Sequence, residues 1–361
     1  MSSAPFVFLF LLSAVGAVAQ TVEDRYPINR EGRVGFIDAQ GNEVIAPQFS
    51  SVADMAHFRD GLAPVMVKEG GGYIDITGHF VIGPNPDFGQ PREFHEGFAT
   101  LLIWGRNGGR NTPAMIDREG KIVKSGVMEG PHFAEGLLAF NDKGKWGFVD
   151  KSFRWVIPAK YQYAWDFSDG MAPVSMAGKY GYVDKMGTEV VRPKYDMGWC
   201  FSDGLGRIRL DLPTGKMFNT LEGPQPQYRE QYGFVDSKGD EVIPPQFENA
   251  TNFQQGRAFA IAPGSRRWGI IDKQGRFICE PIFDQAGEFH GDRAPVRVGE
   301  KWGYVDLNGQ WMVTPQFTGA NEFWNGLARV AWSDGYGYID IAGATVWKLM
   351  AKPSSAPGIA K

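Results

Sequence analysis

The sequence predicts an all-β protein built from about eight to nine copies of one three-stranded antiparallel unit. The copies are expected to form an open, curved or superhelical stack, with a closed propeller-like ring as the alternative. Three periodic features predict this. An aspartate returns at Asp38, Asp75, Asp117, Asp150, Asp184, Asp236, Asp272, Asp306 and Asp340, at spacings of 37, 42, 33, 34, 52, 36, 34 and 34 residues. Six of those spacings fall between 33 and 37, which is the self-similarity of a repeat array. A glycine stands just ahead of most of these aspartates, at Gly35, Gly72, Gly147, Gly181, Gly233, Gly269, Gly303 and Gly337. A phenylalanine follows at Phe58, Phe94, Phe133, Phe167, Phe201, Phe253, Phe289 and Phe323. The third copy departs, with Ala114 and Met115 in place of the glycine and its neighbour. That weak copy and the unequal insertions favour the open stack.

Taken in order, the chain opens with residues 1–19, which read as a signal peptide. Phe6 to Val18 is apolar, and Ala17-Val18-Ala19 is a small-residue cleavage site before Gln20. The apolar run is too short to span a bilayer comfortably, and no later segment could span one. The chain is therefore expected to be exported, to the periplasm or beyond, with no transmembrane segment after cleavage. Residues 20–33 are a polar lead-in, and residues 34–347 are the array.

The copy from Lys301 to Val330 shows what each unit is made of. Trp302-Gly303-Tyr304-Val305 is a strand rich in aromatic and β-branched residues. Asp306-Leu307-Asn308-Gly309 is a turn, with Asp first to accept backbone N–H bonds and Gly free to take a left-handed conformation. A second strand runs from Trp311 to Phe317, and its Pro315 belongs at a sheet edge or strand end because proline cannot donate to a ladder. Phe323-Trp324-Asn325-Gly326 is a second turn, and Leu327 to Val330 is a third strand.

The pattern resembles the WG-repeat family, also called KWG repeats, over about residues 33–347. The resemblance is carried by Lys145-Trp146-Gly147, Arg267-Trp268-Gly269 and Lys301-Trp302-Gly303, by the aromatic-Val-Asp-x-x-Gly that follows, and by the Phe-x-x-Gly-Leu-Ala stretch. It implies a bacterial binding or structural module and no particular reaction. Trp146, Gly147, Asp150, Trp268, Gly269, Asp272, Trp302, Gly303 and Asp306 are accordingly structural repeat residues.

Residues 211–230 form an insertion, read as a tolerated surface loop or else a partner contact. Residues 348–361 are a flexible tail. Hydrophobic and aromatic contents of 43% and 14% suffice for a core, and 47 glycines with 23 prolines suit many turns. The net charge of −4 argues against a nucleic-acid partner, which would want a basic face.

Candidate chemistry is weighed against packing. Nine equivalent aspartates close hairpins; a catalytic residue needs no such equivalents. The acids Asp60, Glu96, Glu135, Asp169 and Asp203 form a row over copies one to five, read as solvated turn residues or a ridge for a basic partner. His57, His95, His132 and His290 flank the recurring phenylalanine. Equivalent points in stacked sheets lie about 10 Å apart, too far to share a metal, so no metal and no cofactor are expected. Cys200 and Cys279 occupy different slots of the repeat and are expected to be free thiols. Nucleophile-elbow, P-loop and zinc-helix motifs do not occur.

The expected function is therefore a non-catalytic scaffold for another envelope protein. The alternative is a module for cell-wall glycan. An enzyme would need a polar cluster near the insertion after Asp211. Trp104, Trp165, Trp199, Trp324 and Trp332, which lie outside the repeat pattern, are the candidate partner-binding residues.

Overall fold

The computed structural model describes residues 24–52, 57–105, 109–127, 131–220 and 223–350. Residues 1–23 and 351–361 lie outside the described residues, and with them the expected signal peptide and nearly all of the tail. Strands alone make up the regular structure of the described residues, in nine small antiparallel sheets of three or four strands. No helix among them is long and apolar enough to cross a membrane.

Each sheet consists of consecutive strands. Blade 1 spans residues 26–49, blade 2 51–85, blade 3 88–125, blade 4 138–161 and blade 5 163–195. Blades 6 to 9 span 197–247, 249–283, 285–317 and 319–350. In blade 8 the strands are Gln285–Ala286, Arg293–Val298, Lys301–Asp306 and Trp311–Phe317, called a to d. Strand a is commonly two residues long, too short to show alternation in the sequence. The expected three strands per copy are therefore corrected to four in most blades. The sequence copy also straddles two sheets. Strands c and d of Lys301 to Phe317 belong to blade 8, and the remainder supplies strands a and b of blade 9.

The local chemistry explains the repeat. All nine turn aspartates accept backbone N–H bonds from the second and fourth residues beyond them. Asp306 Oδ1, for example, takes Asn308 N at 2.9 Å and Gln310 N at 2.8 Å. Asp150 does the same with Ser152 and Arg154, and Asp272 with Gln274 and Arg276. The register then slips across c and d: Trp302 faces Phe317 while Tyr304 faces Val313. This bulge in strand d pushes backbone toward strand c. A Cβ at Gly303 would lie 2.5 Å from Val313 O, at Gly147 2.4 Å from Ile157 O, and at Gly269 2.6 Å from Cys279 O. Only glycine leaves that space. Pro315 lies in strand d, which pairs on one side only, as its missing N–H requires.

Between neighbouring blades lie apolar layers. Phe148, Ile157 and Tyr161 of blade 4 pack with Phe167, Ala172 and Val174 of blade 5, and Trp146 is buried among them. Trp268 and Trp302 are half-buried against the equivalent layers.

The same kind of layer joins the two ends of the chain. Tyr26, Ile28 and Ile37 of blade 1 pack with Leu327, Tyr338 and Trp347 of blade 9. The Tyr26 and Tyr338 rings lie 5.6 Å apart. Tyr26 OH donates to Asn325 O at 2.6 Å, and Tyr338 OH to Pro27 O at 2.8 Å. The array is thus a closed nine-bladed β-propeller, and the open stack is corrected to the ring. Nine wedge-shaped sheets with matched faces bring the last face onto the first, leaving no apolar end to cap. Among the described residues no strand is exchanged at the seam; side chains close it.

Three boundaries shift as well. Tyr26–Arg30 is a strand of blade 1, so that part of the lead-in belongs to the ring. Thr345–Met350 carries blade 9 past residue 347. The insertion at 211–230 is not a loop: it prolongs strands Leu205–Thr220 and Gly223–Asp236 into a two-stranded ribbon, paired out to Thr220 and Gly223.

Candidate functional site

The residues beside the recurring phenylalanine form a circuit around the inner edge of the ring. His57 N donates to Glu93 Oε1 at 2.9 Å, and Arg59 pairs with Glu93 at 2.7 Å. The His95 and His132 rings lie 3.8 Å apart, and His132 Nδ1 stands 3.1 Å from Asp166 Oδ2. The Cys200 thiol donates to Asp166 O, and Ser202 Oγ to Phe253 O. Asn252 donates to Glu288, and Glu288 N to Glu322. Trp324 of blade 9 then stacks on His57 of blade 2, with ring centroids 4.1 Å apart. The step passes over blade 1, which among the described residues begins at strand b. Skipping a blade is possible only on the shortest circumference, so this circuit marks the inner edge.

The circuit corrects the spacing expected of the histidines. Sheets about 10 Å apart at mid-height converge toward the axis of a ring, so His95 and His132 touch. Even so, among the described residues no group of three or more His, Cys, Asp and Glu is placed to hold a metal ion.

The electrostatics suit holding more than reacting. Burial, then the adjacent His132, pushes His95 down to about 4. Burial also lowers His57. Burial holds Asp166 above the ordinary carboxylate range, although His132 opposes it. Burial, then Asp166, pushes the Cys200 thiol up to about 11, away from the reactive thiolate. Cys200 and Cys279 are both free and half-buried.

The acidic row has a role that neither sequence reading gave it. Asp60 accepts from Gly97 N at 2.7 Å, Glu96 from Gly136 N at 3.0 Å and Glu135 from Gly170 N at 3.1 Å. Asp169 accepts from Gly204 N at 2.8 Å and Asp203 from Gly256 N at 2.6 Å. Each acid latches the turn of the next blade. Lys151, Lys185 and Lys273 add ion pairs to Glu96, Glu135 and Asp203.

A polar cluster does stand at the root of the insertion. Arg209 pairs with Asp211 at 2.8 Å and Glu230 at 2.9 Å, and Tyr232 OH donates to Glu230. Asp196 joins it through Lys179 and Asp211 N. These charges are paired with one another, as in the root of a hairpin.

The five candidate tryptophans do not gather on one face. Trp165, Trp199 and Trp324 lie on or beside strand a. Trp332 ends strand b of blade 9, and Trp104 follows the last residue of strand b in blade 3. Trp199 is half-buried between Tyr232 and the Arg207 guanidinium, 4.1 Å from its ring. Trp332 is half-buried against Phe317 and Lys348. Trp324 helps line a cleft of about 260 Å³ with His57, Glu288, His290 and Glu322. Trp104 and Trp165 are exposed. Sequence reasoning missed Glu93, Asp166, Glu288 and Glu322. Their signal was available: all stand immediately before the recurring phenylalanine.

A family model described as a WG containing repeat matches residues 35–70, 146–180, 180–211, 232–261, 268–302 and 302–331. No curated protein matches the chain. Among solved structures, one described as the crystal structure of the eukaryotic initiation factor covers 91% of this chain and 96% of its own, with TM-score 0.64 and 11% identity. The β-propeller domain of the Trilobed protease from Pyrococcus furiosus covers 76% and 98%, with TM-score 0.38 and 12% identity. PorZ, a bacterial surface component of the type-IX secretion system of Porphyromonas gingivalis, covers 94% and 51%, with TM-score 0.32 and 12% identity. The first likeness concerns the fold alone; the other two superpose loosely.

Proposed function

The chain belongs to the WG containing repeat family, and from that premise we propose that it is an exported, non-catalytic scaffold that binds another envelope protein through the ribbon at 211–230. The ribbon carries the proposal. It leaves the ring with Leu212, Met217, Phe218 and Tyr228 exposed, the last three by half or more. Apolar side chains on a projecting β-ribbon suit a protein surface more than water. By contrast, the turn aspartates, the acid latches and most of the inner circuit are taken up with holding the ring. The raised Cys200 thiol and the self-paired cluster at Arg209 support a non-catalytic role. The apolar run and small-residue site in residues 1–19 support export.

The test shortens the ribbon, replacing residues 212–229 by an Asn-Gly turn, and places a photo-cross-linking residue at Phe218 or, as control, at Lys238. The expected result is a ring that still melts cooperatively. One discrete protein should cross-link at Phe218 and not at Lys238, and its complex should be lost without the ribbon. The same complex forming on the shortened protein would overturn the proposal.

A further inference from the structure

In a repeat protein, recurrence accounts for most side chains, so a cavity built from departures is informative. The slot ahead of the strand-c glycine is aromatic in blades 4 to 9: Trp146, Tyr180, Tyr232, Trp268, Trp302 and Tyr336. In blades 4 to 8 it faces an aromatic residue of strand d, as Trp146 faces Tyr161 and Tyr180 faces Tyr195. Blade 2 has lost both partners: Gly71 stands in the slot and faces Asn85. A Cβ at Gly71 would meet Phe88 O at 2.7 Å and the Met66 sulfur at 3.2 Å.

Beside this vacated pair, between blades 2 and 3, lies a cleft of about 360 Å³, within the range of small-molecule sites. Ser51, Pro64, Met66, Gln90, Arg92 and Trp104 are among its lining residues. Trp104 is a departure too, since the same place in the other blades carries no aromatic residue. It is held by Trp104 N donating to Asp87 O at 2.8 Å. Its indole lies against Gly89, where a Cβ would fall 1.9 Å from Nε1. Trp104 is 40% exposed. Arg92 is exposed, and its guanidinium has no partner among the described residues, although its N–H and carbonyl are bonded to Thr100 and Tyr73.

We propose that this cleft is a binding site for an acidic sugar, with the pyranose ring stacked on Trp104 and its carboxylate paired with Arg92. An indole face takes the C–H face of a sugar as it takes other apolar faces. A guanidinium binds a carboxylate with two parallel N–H bonds. Gln90 and Ser51 supply hydrogen-bonding groups for hydroxyls at the rim. Among the described residues lining the cleft, Arg92 is the charged one, so a neutral sugar would leave it unmatched.

The test titrates the full protein with digalacturonic acid, with its methyl ester, and with a proline-ended tripeptide, following tryptophan fluorescence and calorimetry. The expected result is one saturable site for the diacid, with binding weakened at least tenfold for the ester. Trp104→Ala should abolish binding, Arg92→Gln should bring acid and ester to equal affinity, and Trp165→Ala should change nothing. Circular dichroism should show each variant folded. Equal binding of ester and acid by the unaltered protein, tighter binding of the tripeptide, or undiminished binding by Trp104→Ala would overturn the proposal. The shortened-ribbon protein should bind the sugar normally, so the two proposals fail separately.

Discussion

Blades 4 to 8 and blades 1 to 3 follow one plan and use it differently. In the regular arc an aromatic pair fills the space between neighbouring sheets, as Trp146 and Tyr161 do. In the irregular arc the same slots hold Val34, Gly71 and Pro113. Blade 3 also has Ala114 in the glycine slot. The inner edge varies as well: Arg59 and His95 follow the phenylalanine in blades 2 and 3, Ala134, Ser168, Ser202 and Gln254 in blades 4 to 7, and His290 in blade 8. Repetition in one arc secures the ring. Departure in the other leaves a cleft and the two lowered histidines, His57 and His95.

The strongest way to break this comparison is to truncate the same residue type in each arc. Trp146→Ala removes a buried ring from the layer between blades 4 and 5 and should cost about 3–5 kcal/mol. Trp104→Ala removes an exposed ring and should change stability by no more than about 0.5 kcal/mol. Urea melts of the two variants decide it. Similar losses would mean that the irregular arc is packed as the regular one is.

The sequence made some of this legible and hid the rest for physical reasons. The aspartate turn, the strand glycine and the edge proline were readable because each answers to its own backbone: a cap, a close approach, a missing donor. Ring closure was not readable. A period shows that neighbours pack, whereas closure depends on the summed rotation between blades, which no single repeat encodes. Strand a was too short to show alternation. The latches were hidden because Glu96 meets Gly136 forty residues on, and nothing at Glu96 itself announces an acceptor for that N–H. For the candidate site, Trp104 stands out from the repeat, whereas the missing side chain at Gly71 looks like simple degeneracy. Arg92 lies two residues ahead of Phe94, outside the recurring positions of the unit.

A smaller effect separates the arcs by pH. His95 is pushed down to about 4 by burial first and then by His132, with Arg59 acting in the same sense and Glu93 and Asp60 opposing. In the unfolded chain imidazole takes its proton near 6.5. Between those values the unfolded state binds a proton that the folded ring refuses, so stability falls as the pH drops from about 6.5 toward about 4. Four of the turn carboxylates, Asp38, Asp75, Asp150 and Asp272, are lowered and act below that window. Asp75, for instance, is held below the ordinary range by its bonds from Thr77 and His79, so its contribution is present above the unfolded carboxylate pKa and is lost only below about 4. His95→Gln should make the upper window shallower, leaving the part that His57 contributes, and leave the lower one. Melting temperatures measured in steps from pH 7.5 to 3.5 check this; an unchanged upper slope would place the titrating group elsewhere.

The seam between blades 9 and 1 offers the finest comparison, because among the described residues it joins the first blade to the last without a shared strand. An acid latch of the regular arc couples a carboxylate to a backbone N–H, as at Asp169 and Gly204. The seam instead uses a tyrosine hydroxyl on a backbone carbonyl. Tyr338→Phe deletes the bond to Pro27 O while keeping the ring against Tyr26, and should cost about 1 kcal/mol. Because that bond joins the first blade to the last, its loss should also speed hydrogen exchange of the amides in Tyr26–Arg30 ahead of those in blades 5 to 7. Uniform acceleration around the ring would instead mean that the propeller opens as one unit, with the seam no weaker than its other contacts.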